Sequence, residues 1–181
     1  SEGKLGHIKE AEIRFDRFRT TPSGKQHKEN PGQIGSGSLH DLGAHLVDQA
    51  VQYFGYPEKL FADVFSMKGS EFANDYFEIL LFYKNDLRVR LKSSVFTKED
   101  HYAYKIHGDK GTFLQERTDN QENELVGGAI PAYGKEWMQP LKEADGILNY
   151  LNENSETERM FTSSEAGNYM DYYQQIYEHI V

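Results

Sequence analysis

Cysteine is absent from the 181 residues, which excludes disulfide staples and thiolate metal sites and fits a reducing compartment. Cations are also scarce. Twenty Lys and Arg stand against 29 Asp and Glu, a formal charge of −9, and the basic positions are scattered. A nucleic-acid partner would need them clustered, so none is expected. Long apolar runs are missing as well: none approaches the roughly 20 residues that cross a bilayer, and no secretory leader opens the chain. No membrane partner is expected, and the predicted location is cytoplasmic. Internal repeats and low-complexity tracts are lacking too. What remains is about one domain's length, enough for a single sizeable core.

The ends lack the marks of natural termini. There is no initiator Met, Ser1 resembles a processing remnant, and residues 169–181 read as a helix with no Gly or Asn closing it. The expectation is a piece of a longer polypeptide.

The densest signal lies in Gly35-Ser36-Gly37-Ser38-Leu39-His40-Asp41-Leu42-Gly43-Ala44-His45-Leu46-Val47-Asp48, a glycine-rich turn running into a helix. Leu39, Leu42, Leu46, Ala50 and Phe54 recur at three- and four-residue spacing, one buried helical stripe. Asp41, His45 and Asp48 form a second stripe beside it. Residues four apart are neighbours on a helix, so Asp41 and His45 can act on one bound molecule. Gly55 and Pro57 supply the helix stop.

Strand patterns occupy residues 7–19, 59–67, 75–83, 87–96, 102–107 and 111–116. Two short late runs, 147–151 and 158–161, are weaker. Lys84-Asn85-Asp86 and Gly108-Asp109-Lys110-Gly111 read as turns between strands. Leu87, Val89 and Leu91 alternate with Arg88, Arg90 and Lys92, the mark of a sheet with one covered face. Residues 20–37 read as loop, 118–146 as irregular, and 169–181 as a helix with Tyr169, Tyr173, Ile176 and Ile180 along one side. Together these predict an α+β fold: an open, mostly antiparallel sheet of about six strands with helices on one face.

Each candidate residue has a plain structural alternative. Asp41 would complete an approximate capping box with Ser38 as N-cap, and His45 alone would more often be a satisfied half-buried imidazole. Gly43 tips the balance toward a site, because a mid-helix glycine costs about 1 kcal/mol relative to alanine and marks a close approach. A metal held by Asp41, His45 and Asp48 is the less favoured reading, since no fourth ligand is near. Gly35-Ser36-Gly37 is a weak phosphate cradle without dinucleotide spacing. His40 is expected in solvent, and Tyr102, Tyr104, Tyr169, Tyr172, Tyr173 and Tyr177 in packing. Arg14, Asp16 and Arg17 are expected at the surface, with one of them able to reach a substrate.

Residues 37–48 resemble the G-x-x-x-D-x-G-x-H-x-x-D signature of the glucose–fructose oxidoreductase/inositol dehydrogenase (Gfo/Idh/MocA) family. Gly3-Lys4-Leu5-Gly6, Arg14-Phe15-Asp16-Arg17-Phe18-Arg19, Asp48-Gln49-Ala50, Phe54-Gly55-Tyr56-Pro57, Gly108-Asp109-Lys110-Gly111 and Tyr172-Tyr173-Gln174-Gln175-Ile176-Tyr177 agree in order. The Phe-Asp-Arg-Phe-Arg and Asp-Gln-Ala details are similar to the scyllo-inositol dehydrogenase branch, although Phe15 stands where that branch often has Trp.

The resemblance implies that residues 1–181 are the C-terminal substrate-binding and oligomerisation domain. Its fold would be like those of dihydrodipicolinate reductase and the C-terminal domain of glyceraldehyde-3-phosphate dehydrogenase. The N-terminal Rossmann domain is absent from this sequence. The implied activity of the whole protein is NAD- or NADP-dependent hydride transfer at a hydroxyl of a sugar, polyol or inositol. No cofactor is expected on this chain alone, and the chain alone is predicted inactive. The implied partners are its own Rossmann domain, the sugar or polyol, and further copies in a dimer or tetramer through the sheet face. The family's Asp and catalytic His fall on Asp41 and His45: His45 as general acid/base, Asp41 as substrate positioner. The competing expectations are a catalytically idle sugar-sensing regulator or scaffold and a metal-dependent isomerase or hydrolase.

Overall fold

The charge-alternating segment near the start of the chain becomes the pivot of the fold. β1 (Ile8–Arg14) lies between β4 (Arg88–Ser94), to which it is parallel, and β5 (Tyr104–Gly108), to which it is antiparallel. The computed structural model of the chain describes residues 3–21, 26–99, 102–119, 121–130, 145–165 and 167–180. β2 (Lys59–Phe65) and β3 (Tyr76–Phe82) extend the sheet on one side. β6 (Gly111–Gln115), β7 (Gly146–Leu151) and β8 (Thr157–Thr162) extend it on the other. The order is β2-β3-β4-β1-β5-β6-β7-β8, and every pairing except β1–β4 is antiparallel.

The predicted class holds, but among the described residues the sheet has eight strands rather than about six. The additions are β7 and β8. Almost all of β8 is exposed, so no buried face marks it in the sequence. The turns at 84–86 and 108–111 fall where expected, with Asp86 in a left-handed conformation. β1 ends five residues before the predicted boundary at Arg19. There the Asp16 carboxylate accepts the Ser94 N–H (2.9 Å) and the Arg14 Nε–H (2.7 Å), replacing a ladder bond by a side-chain one. Residues 15–19 still follow β4, through Arg17 N–H to Ser94 O and Arg19 N–H to Val95 O.

A one-turn helix α1 (Gln26–Glu29) lies in the predicted loop, and a π-helical turn (Leu39–Gly43) leads into α2 (Ala44–Phe54). Leu42, Leu46 and Ala50 are buried, with Leu39 and Phe54 packed at the margin. They sit on Ala11, Ile13, Phe77, Ile79, Leu81, Val89 and Leu91, the covered face of the sheet that the alternation predicted. Fully burying a side chain such as Leu46 contributes about 1.5–3 kcal/mol.

The opposite face has no helix on it among the described residues. One register row crosses all eight strands: Phe61, Leu80, Arg90, Glu12, Lys105, Leu114, Ile147 and Phe161. Its centre is ionic, with Lys105 Nζ 3.0 Å and Arg90 Nη1 3.6 Å from Glu12. Burial pushes the Glu12 carboxyl up, but Lys105, Arg14 and Arg90 prevail and hold it below its usual range. The ends of the row are apolar and open to solvent at Phe61 and Phe161.

The stretch expected to be irregular contains α3 (Gln121–Val126), followed by Gly127 and Gly128. Pro131, also placed there, lies outside the described residues. The closing helix forms as α4 (Met170–Ile180), but Tyr173, Ile176 and Ile180 on its apolar side are exposed.

Candidate functional site

The site begins with how the helix start is pinned. Gly37 has φ +88°, which the chain needs because Asn74, from the β2–β3 connection, presses against it. The Asn74 carbonyl oxygen accepts the Ser38 N–H (2.7 Å) and its Oδ1 accepts the Leu39 N–H (2.9 Å). A residue 35 positions away thus caps the helix, in place of the expected Ser38 box. Ser38 itself is helical in φ/ψ and makes no side-chain cap bond. Gly43 is explained by packing: a Cβ there would stand 2.9 Å from Leu39 Cδ1 and 3.5 Å from Phe77 Cζ. The close approach inferred from that glycine is therefore to the core.

With the cap supplied elsewhere, the Asp41 carboxylate takes a different partner. Lys28 of α1 donates to Asp41 Oδ1 at 2.5 Å, and both side chains remain partly exposed. His45, one turn further on, is exposed, and no hydrogen bond fixes its ring among the described residues. A π-helical turn widens the winding at this point, a device often found where a helix carries function.

Asp41 and His45 meet on the wall of one cavity of about 570 Å³. Phe15 and Arg17, just past β1, and Leu42 complete that wall. The facing wall comes from Asp119, Gln121 and Leu125 after β6, and from Asn168 and Tyr169 before α4. Gln121, 7% exposed, ties the facing wall together. Its Nε2 donates to Asp119 (3.1 Å) and its Oε1 accepts the Tyr169 N–H (2.7 Å). The volume falls in the range of small-molecule sites, with an apolar lining and a few convergent polar groups.

Other expectations are met in part or corrected. His40 is exposed, its Nδ1 3.1 Å from Ser36 O. Asp48 is exposed and is not part of the cavity wall. No group of three His, Asp or Glu among the described residues is arranged to hold a metal. The amides of the Gly35–Gly37 turn do not form a phosphate cradle. Ser36 N–H is taken by Gln33 O, Gly37 N–H by Lys28 O, and the next two by Asn74. Tyr104 is partly buried, its hydroxyl 3.3 Å from Gln49 Oε1. Tyr169 departs from a pure packing role, because it borders the cavity while its hydroxyl meets that of Tyr173 at 2.8 Å. The Tyr172 side chain lies outside the described residues. Arg17 reaches the cavity, whereas Arg14 and Asp16 pair with each other. The sequence reading missed Asp119, Gln121, Leu125 and Asn168, which carry no periodic signal linking them to residues 41–45.

Comparison with known proteins identifies the family and the fold. Residues 1–114 match the family profile described as the GFO/IDH/MocA C-terminal domain. The uncharacterized oxidoreductase YhhX of Escherichia coli K12 is 34% identical, over 98% of this chain and 49% of that protein. The scyllo-inositol 2-dehydrogenase (NADP(+)) IolW of Bacillus subtilis is 29% identical, over 99% and 49%. A crystal structure of YhhX superposes with a TM-score of 0.83 at 32% identity, covering 99% of this chain and 50% of that one. The chain spans about half the length of the curated relatives it matches. No helix among the described residues is long and apolar enough to cross a membrane.

Proposed function

Because the chain belongs to the GFO/IDH/MocA family, as its C-terminal domain, we propose that it is the substrate-binding half of an NAD- or NADP-dependent oxidoreductase acting on a hydroxyl of a sugar, polyol or inositol. The observation that carries the reading is the cavity wall on which an unbonded imidazole, His45, and a carboxylate held from behind, Asp41, stand together. A scyllo-inositol 2-dehydrogenase among the relatives supports the substrate class and the nicotinamide.

The described residues do not offer a dinucleotide-binding turn, since the N–H groups of Ser36, Gly37, Ser38, Leu39 and Asp41 are already bonded within the chain. The cofactor belongs to an N-terminal Rossmann domain, for which the greater length of the relatives leaves room. Nicotinamide chemistry supplies the hydride acceptor or donor; this chain handles the proton and the substrate. Oxidising an alcohol releases the hydroxyl proton, and His45 takes it up as general base and returns it in the reverse direction. Asp41 accepts a hydrogen bond from a neighbouring hydroxyl, with Lys28 fixing its orientation. Phe15 and Leu42 exclude water from one side of the ring, and the Gln121 clasp holds the facing wall. Copies of the chain associate through the helix-free sheet face, whose apolar ends otherwise remain in water.

The decisive experiment is His45→Ala in the intact oxidoreductase. It should lower kcat by ~10²-fold or more with substrate affinity little changed. Near-normal turnover would end the assignment.

A further inference from the structure

Behind Asp41 lies a second, smaller cavity of about 70 Å³, bordered by Arg19, Lys28 and Lys68. Asp41 also borders the larger cavity, so the two are neighbours separated by one carboxylate. In a chain with nine more acids than bases, three cations round one small space call for a physical reason.

Three carboxylates, Asp41, Asp75 and Glu29, share the rim, yet none of them forms an ion pair with Arg19 or Lys68. Asp75, 6% exposed, has both oxygens on backbone amides, Met67 N–H at 2.7 Å and Lys68 N–H at 3.3 Å. Asp41 is bound to Lys28. Glu29, on the same rim, is engaged as well. Arg19 and Lys68 have neither an ion pair nor a side-chain hydrogen bond among the described residues, although Lys68 is half-buried. Both stand on fixed backbone: Arg19 N–H donates to Val95 O (2.8 Å), and Lys68 N–H to Asp75. A half-buried ammonium with no direct hydrogen-bond or ion-pair partner is stabilised when an oxyanion supplies one.

We propose that this cavity binds a compact oxyanion, a phosphate or carboxylate, through Arg19 and Lys68. The space holds such a group but is too small for a sugar ring, whereas the adjoining cavity is of the size for one. Resting on the reading of the His45 cavity, the oxyanion is an arm of the substrate, which is thereby an acidic sugar or polyol. Its ring lies at His45 and its acid group reaches past Asp41.

Isothermal titration of the full chain in low-chloride buffer tests this, with inorganic phosphate, D-glucose and D-glucose 6-phosphate as probes. Phosphate should bind, and Lys68→Met and Arg19→Met should each weaken it by about tenfold, while Lys68→Arg retains it. Lys68→Met leaves the Lys68 backbone bond to Asp75 intact, so folding is not at stake. His45→Ala should leave phosphate binding unchanged, which separates failure of this site from failure of the catalytic reading. Tighter binding of glucose 6-phosphate than of either phosphate or glucose places the anion on the substrate. Equal affinity for glucose 6-phosphate and phosphate overturns that link in favour of a free anion. Absence of phosphate binding, or binding indifferent to both substitutions, overturns the site.

Discussion

Gly37→Ala should be among the most damaging single-methyl additions in this chain. The residue has φ +88°, and a left-handed conformation costs an alanine about 1–2 kcal/mol. The new Cβ would also stand 2.3 Å from Asn74 Nδ2, 2.7 Å from its Cγ and 2.9 Å from its carbonyl oxygen. Because backbone is involved, Asn74 must move, and its two bonds to the Ser38 and Leu39 amides go with it. At about 1 kcal/mol each they add ~2 kcal/mol, for a total of roughly 3–4 kcal/mol. In urea or thermal unfolding, that is a fall in Tm of roughly 10 °C for a chain of this size. Gly35→Ala is the control: φ is +83° but nothing lies within 4 Å, so only the conformational cost of about 1–2 kcal/mol applies. Asn74→Ala should cost ~1 kcal/mol and be less than additive with Gly37→Ala, because the two share one contact. Equal losses for the two glycine variants would refute the account of how the site's helix is held.

Asp145, 6% exposed, accepts from Thr118 Oγ1 (2.6 Å), Ser164 Oγ (2.5 Å) and Ser164 N–H (2.8 Å), pinning the start of β7 to its neighbours. Burial pushes its carboxyl up, yet these bonds win and hold it below its usual range. A depressed folded value gives stability that is complete above the unfolded value of ~3.9 and lost as pH falls below it. Asp145→Asn should therefore flatten the decline below about pH 4 and lower stability at pH 7 by about 1–3 kcal/mol; an unchanged acid limb of the denaturation curve would contradict this. Fluorescence titration of this chain with NADH or NADPH should show no saturable binding, and tight binding would overturn the placing of the cofactor in the other half of the protein. Light scattering at high concentration should show a dimer or tetramer that Phe61→Lys with Phe161→Lys weakens; a monomeric parent chain would remove the sheet-face proposal.

Much of the site was legible because local periodicity encodes it. The three- and four-residue recurrence of Leu39, Leu42, Leu46 and Ala50 has its counterpart in the buried stripe of the helix, and the same spacing brings Asp41 and His45 to one cavity. The alternation over residues 87–92 likewise separates Leu87, Val89 and Leu91 from Arg88, Arg90 and Lys92. What periodicity could not supply was the reason for the glycines. Gly43 looked like room for a ligand and is room for Leu39 and Phe77, and the cap assigned to Ser38 comes from Asn74. β8 was weakly marked because a strand with nearly every residue exposed has no hydrophobic period to detect.

From the chain alone come the α+β class, the strands either side of each polar turn, and the helix that carries a carboxylate and an imidazole one turn apart. These depend on neighbours within a few residues, where backbone geometry dictates which side chains share a face. The tertiary structure alone decided that β1 lies parallel to β4 in mid-sheet, and that Lys28 holds Asp41. It also decided that Gln121, Asp119 and Tyr169 close the far wall of the cavity. Lys28 and Asp41 lie 13 residues apart and Gln121 and Tyr169 48, and contacts over such distances leave no period in the sequence because they arise only when the whole sheet has closed.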